Sequence, residues 1–230
     1  MWNRKELKEK AKKAFKANYW KTVAVSLLFL IVGGGSVLTF TNSSGNGAEG
    51  FSAQVGALSQ EEIIAIAAAV LASLAVVGTI TFLIKIFLCN PLMVGCQKFY
   101  RENAESPANF GEVGAAFKKK YGNIVLTIFL RDLFLALWLL LFIIPGLIKA
   151  YSYRMVPYII ADNPEMSALD AITKSRVMMK GHKWNAFVLD LSFLGWLILS
   201  GLTAGILGIF YVNPYIFETD AELYLALKNN

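Results

Sequence analysis

Three times along the chain, a basic amphipathic stretch gives way to an aromatic residue and then to a long apolar run. The first copy reads Ala14-Phe15-Lys16 to Tyr19-Trp20-Lys21 ahead of residues 23–30. The second reads Ala116-Phe117-Lys118 to Tyr121-Gly122-Asn123 ahead of residues 124–130, and the third Met178-Met179-Lys180 to Lys183-Trp184-Asn185 ahead of residues 186–194. A chain passing from cytoplasm into bilayer needs this order: cations for the anionic surface, an aromatic at headgroup depth, then hydrocarbon. Trp20, Tyr121 and Trp184, with Lys118 and Lys183, are the expected interface residues.

The charge distribution points the same way. Residues 1–21 hold eight Lys/Arg and two Glu, which accounts for the whole net charge of +6. That basic arm abuts an apolar run, so its expected partner is the anionic inner leaflet and not nucleic acid. Only 17% of the residues are charged and mean hydropathy is +0.52, with the apolar residues in unbroken runs. The N-terminus lacks the short charged region and small-residue cleavage site of a signal peptide. Leu7, Ala11, Ala14, Phe15 and Asn18 recur at three- and four-residue spacing, which predicts a surface helix over residues 3–18.

The expected fold is a polytopic all-α membrane bundle of about six spans: residues 19–40, 63–94, 123–144, 147–161, 184–199 and 206–225. They group into three parallel helix-pair repeats (about 3–100, 108–161 and 165–228) within a single domain over 1–230, with amphipathic helices at the interface. No Lys or Arg occurs between Lys21 and Lys85, so the loop Thr41–Gly47, which contains the sequon Asn42-Ser43-Ser44, is expected outside. Both termini are then cytoplasmic, and the multi-pass protein is expected in the plasma membrane.

Residues 63–94 would make a helix of roughly 48 Å, against a bilayer core of about 30 Å. Either the helix tilts and projects, or residues 63–77 lie separately at the outer face. A second surface helix is expected around Phe110, Val113, Gly114 and Phe117. Pro145-Gly146 reads as an outer turn. Ser167 or Asn163 caps a helix reaching Lys180, whose less polar face is Ala168, Ala171, Ile172, Ser175 and Met179. Each outgoing span carries a proline, at Asn90-Pro91-Leu92, Val156-Pro157-Tyr158 and Asn213-Pro214-Tyr215. These are either ordinary kinks or bends packed around a pseudo-threefold centre.

Soluble-enzyme constellations are missing from the sequence. The lone His182 sits in a basic interfacial segment and reads as a surface residue. There is no H-E-x-x-H, G-x-S-x-G or P-loop. Ser36 is expected a membrane thickness away from His182, so the two form no dyad. Cys89 and Cys96 would be about 10 Å apart on a helix, too far for a disulfide, and two thiols make no metal site. No cofactor or metal is expected, and the chain is read as non-enzymatic.

Ionisable residues inside a membrane are expensive and need partners or a purpose. Here they are Lys85, Arg131, Asp132, Arg154 and Asp190, with Glu218, Asp220 and Glu222 late in the last span. The expected ligand-binding set is Arg131, Asp132, Arg154 and Asp190. In it Arg131 or Arg154 pairs with Asp190, and Asp132 is left to a second cation. The alternative reading is that these pairs glue the bundle and neutralise one another. Lys85 can snorkel toward the cytoplasm. Tyr151, Tyr153, Tyr158, Tyr211 and Tyr215 either line a pocket or form an interfacial belt. Gly201, Gly205 and Gly208, with Ser200, give a small-residue face suited to close helix packing or a homo-oligomer seam.

The sequence resembles a family of bacterial integral membrane proteins typical of low-GC Gram-positives, a domain of unknown function. The resemblance rests on Lys5-Glu6-Leu7-Lys8 with Ala11 and Tyr19-Trp20, and on Ala168-Leu169 with Lys174-Ser175-Arg176. It rests also on Met179-Lys180-Gly181-His182-Lys183-Trp184 and on Leu189-Asp190-Leu191-Ser192-Phe193-Leu194-Gly195-Trp196. More distantly, the layout is similar to the membrane domain attached to some glycerophosphodiester phosphodiesterases. The resemblance implies a multi-span plasma-membrane protein and supplies no substrate or catalytic residue. Three functions stay open. One is binding or transport of an anionic lipid or small amphiphile at Arg131 and Arg154. Another is a non-catalytic scaffold or accessory subunit with a protein partner at the cytoplasmic face. The lesser one is a membrane enzyme acting on lipid phosphodiesters, with Asp132 and Asp190 as acid/base groups.

Overall fold

A computed structural model describes residues 2–32, 59–118 and 120–229. The expected end of the first span at Gly33–Ser36, the loop Thr41–Gly47 with its sequon, and Lys119 lie outside the described residues. Helix α1 (Arg4–Ala17) opens with the Asn3 side chain accepting from the Lys5 amide, and it buries Leu7, Ala11 and Phe15. Those are three of the five residues whose spacing predicted the helix. The chain then bends by 104° into α2 (Tyr19–Val32). The Asn18 amide group holds that corner, donating to the Asn103 side chain and the Ala108 carbonyl.

Helix α3 (Gln60–Ile84) begins at a capping box in which Ser59 and Glu62 each accept from the other's backbone amide. It continues through a π-helical turn (Lys85–Cys89) into α4 (Asn90–Glu105). Residues 63–77 are therefore the N-terminal part of one long helix and not a separate segment. At 46 residues this helix measures roughly 69 Å, so it projects well past a bilayer core. No residue of α3 is buried, whereas α4 is packed on several sides.

A 3₁₀ segment (Phe110–Gly114) and the short α5 (Ala115–Lys118) follow, pressed against α4. A Cβ at Gly95 would overlap the Val113 carbonyl oxygen, so only glycine permits this approach. Helix α6 (Tyr121–Leu141) ends at Phe142. Next come α7 (Ile143–Ser152) and α8 (Val156–Asp162), separated at Tyr153–Met155. Ser167, and not Asn163, caps α9 (Ala168–Met178) by accepting from the Asp170 amide. The predicted inner face of α9 is buried, with Ser175 bonded to the Ser152 carbonyl.

The chain continues through α10 (Lys183–Leu191), α11 (Leu194–Leu202), a second π-helical turn (Gly208–Val212) and α12 (Asn213–Lys228). In the small-residue face Gly205 is required by its left-handed backbone (φ +83°), a Cβ at Gly208 would overlap the Ser200 hydroxyl, and Gly201 faces open space.

Burial divides the molecule into two halves. The packed core joins α1, α4, α8, α9 and α12 through residues such as Phe15, Phe99, Ile159, Met179 and Leu223. The remaining stretches are apolar and bare: α3, the junction of α6 and α7, and α11 with the turn after it. A surface this apolar needs a cover other than water. Among the described residues, Gln60–Glu105, Tyr121–Leu141 and Lys183–Leu202 are long and apolar enough to cross a membrane, and the bent α1–α2 pair makes a fourth if it counts as one span.

Candidate functional site

The polar groups of the packed half sit on the three helices that begin with proline, and on their neighbours. Proline removes the amide that would reach the carbonyl four residues earlier. For Pro91 that orphan is Phe87, and the Tyr121 hydroxyl donates to it. For Pro214 it is Phe210, and the Tyr19 hydroxyl donates to it at 3.2 Å. Each π-helical turn closes on the asparagine before its proline, Asn90 on Lys85 and Asn213 on Gly208. For Pro157 the orphan is Tyr153. There the helix breaks instead, and the Val156 amide turns back to the Tyr153 carbonyl at 3.2 Å.

Within that break stands Arg154. Its guanidinium grips Asp190 with two bonds of 2.7 and 2.8 Å and reaches Asp220 at 2.5 Å. The Tyr151 hydroxyl also donates to Asp190, at 2.9 Å, and the guanidinium lies 5.7 Å from the Tyr151 ring centre. One cation thus serves two carboxylates, a formal charge of −1 with all three groups ionised. A cavity of about 330 Å³ lined by Leu147, Ala150, Tyr151, Arg154 and Asp190 opens beside it.

The other expected site residues stand apart from this cluster. Arg131 and Asp132 bond to each other on α6, through Nε and Nη2 at 2.9 and 2.6 Å. Of the two arginines proposed for Asp190, Arg154 takes it, and Arg131 is the cation left for Asp132. Trp20 and Trp184 are more than two-thirds exposed. Lys118 borders a cavity beside Gly95, while Lys183 borders a different groove, between α7 and α9. His182 is half-buried, with its ring 6.4 Å from that of Trp2. Cys89 and Cys96 are both free, and among the described residues no cluster of His, Cys, Asp or Glu could hold a metal.

The expected set omitted Asp220 and Tyr151. Helical spacing was the available signal for Asp220: Glu218 and Glu222 share a face four residues apart, and Asp220 points the opposite way. Glu218 is fully buried and accepts from the Asn103 side chain at 2.5 Å. Asp162 collects Arg101 at 3.1 Å, the Tyr224 hydroxyl at 2.8 Å and Lys228 at 2.6 Å.

All-helical architecture and several helices long and apolar enough to cross a membrane mark a helical membrane protein. The chain belongs to the DUF975 family of proteins of unknown function, whose family model matches residues 63–230. The matched region includes Asp190 and the segments around Lys180 and Trp184, and leaves out Lys5–Lys8 and Tyr19-Trp20. No curated protein and no solved structure matches the chain.

Proposed function

We propose that the protein is a six-span plasma-membrane protein that binds or transports a lipid or small amphiphile through the polar site at Arg154 and Asp190, without catalysis. One observation carries the reading: the half-buried Arg154–Asp190 pair forms part of the wall of an open cavity. A pair that served only as glue would have no need of that opening. The net negative charge of the cluster favours a headgroup that donates hydrogen bonds over a bare anion. Arg131 and Asp132, already neutralised, set the depth of α6 beside the site.

The two tyrosine locks support three repeats arranged in a ring. The tyrosine that enters the second repeat seals the proline of the first, and the tyrosine of the first seals the proline of the third. The amphipathic α1 and the charge rule support cytoplasmic termini. A second reading, scaffold or accessory subunit, is favoured by the 25-residue α3, which presents an apolar surface with no buried residue to lipid or to a partner helix.

Native mass spectrometry of the protein released from membranes, wild type beside Asp190→Asn and Arg131→Gln, tests the proposal. A co-purifying amphiphile lost only in a folded Asp190→Asn variant supports it. The same bound molecules in all three proteins, or none in any, would leave Arg154 and Asp190 as structural glue.

A further inference from the structure

On the far side of α7 from that cavity, four cations converge. Lys149 of α7, Arg176 of α9, and Lys180 and Lys183 of the following corner line one groove of about 370 Å³, with Ser152 and Thr173 as its polar floor. The charges of Arg176 and Lys183 both act on Lys149. Among the described residues no carboxylate lies within 4 Å of any of the four. Lys98, Arg101, Arg131, Arg154 and Lys228, in contrast, each have an acidic partner. Four like charges left unneutralised in one concavity repel one another unless an anion joins them.

The groove continues into an apolar one. Lys149, Thr173 and Arg176 also border a second hollow of about 310 Å³, walled by Phe134, Trp138 and Leu169. The Lys149 ammonium lies 4.4 Å from the centre of the Trp138 ring, at the junction of the two. Exposed Val177, Leu169 and Trp184 flank the cations. A soluble anion would have no use for such apolar walls, whereas an anionic amphiphile matches both ends.

The position of the groove within the ring has a local cause. Where the first two copies of the entry pattern carry Tyr19 and Tyr121, which seal proline-freed carbonyls, the third carries Lys183. At that position the third copy offers no hydroxyl, and Lys183 instead borders the groove between α7 and α9.

We infer that the groove between α6, α7 and α9 binds an anionic phospholipid, with its phosphate among Lys149, Arg176, Lys180 and Lys183 and an acyl chain along Phe134 and Trp138. This site is separate from the cavity at Asp190 and differs from it in charge preference.

Titration of the detergent-solubilised protein with phosphatidylglycerol and with phosphatidylcholine, read by native mass spectrometry, tests it. The Lys149→Gln/Arg176→Gln variant should bind phosphatidylglycerol at least tenfold more weakly, with phosphatidylcholine unchanged. Lys149→Arg/Arg176→Lys should restore binding. Lys180→Gln/Lys183→Gln, away from the packed core, should show the same selective loss if the first variant folds poorly. Asp190→Asn should leave phosphatidylglycerol affinity intact, so failure of the Asp190 proposal is read independently. Wild-type affinity for phosphatidylglycerol in both charge-removed variants overturns the inference. So does equal affinity for soluble glycerol 3-phosphate, which would make the apolar wall irrelevant.

Discussion

The Tyr121 hydroxyl donates to the Phe87 carbonyl, the oxygen that Pro91 leaves without its helical donor. Tyr19 does the same for Phe210, the oxygen freed by Pro214. Kinks in membrane helices are tolerated where a neighbour satisfies the freed group. Here the neighbour is a tyrosine of another helix, so one side chain seals a break in a helix to which it does not belong.

Removing either hydroxyl should destabilise the bundle modestly. Tyr121→Phe and Tyr19→Phe each lose one hydrogen bond and should cost about 1 kcal/mol, adding in the double variant because the two sites are distant. Thermal unfolding in detergent measures this. A double variant as stable as the wild type would show that water satisfies both carbonyls equally well.

The Arg154 cluster should respond asymmetrically. Arg154→Gln leaves Asp190 and Asp220 facing each other without a cation and should destabilise by about 3–5 kcal/mol. Asp190→Asn leaves Arg154 paired with Asp220 and should cost distinctly less. Equal losses in the two variants would mean that the charges are solvated and act independently.

Glu218 offers a separate check on the packing. It is fully buried and accepts from Asn103, which also holds the α1–α2 corner through Asn18. Glu218→Gln keeps the side chain's size and an acceptor for Asn103, and should be near neutral. Glu218→Ala strands Asn103 and opens a cavity, and should cost about 2–4 kcal/mol. Chemical denaturation monitored by circular dichroism separates the two.

Gly95→Ala should loosen α4 from the 3₁₀ segment, because its methyl would overlap the Val113 carbonyl. A loss of about 1–3 kcal/mol is expected, against little change for Gly122→Ala, where the added atom meets open space.

Much of this was legible from spacing alone. The buried face of α1 and that of α9 follow from apolar residues three and four apart, while the cap of α9 was narrowed only to Ser167 or Asn163. The bond between Arg154 and Asp190 was half legible: two buried charges must find partners, but composition does not say which cation finds which acid. The tyrosine locks were not legible, since they join Tyr19 to Phe210 across 191 positions and depend on how the helices are arranged around one another. The basic groove was hidden for the same reason. Lys149 lies far along the chain from Lys180 and Lys183, and only the path of α9 along α6 brings them to one hollow.

Every site assignment rests on one claim, that the bare apolar ends lie in the bilayer and the packed polar half on its cytoplasmic side. Cysteine accessibility tests it directly, with single cysteines at the exposed positions Lys13, Lys174 and Glu61 in a background carrying Cys89→Ala and Cys96→Ala. The account predicts that an impermeant maleimide labels Lys13→Cys and Lys174→Cys only in inside-out vesicles, and Glu61→Cys only in right-side-out ones. Labelling of Glu61→Cys from the same side as Lys13→Cys would contradict it.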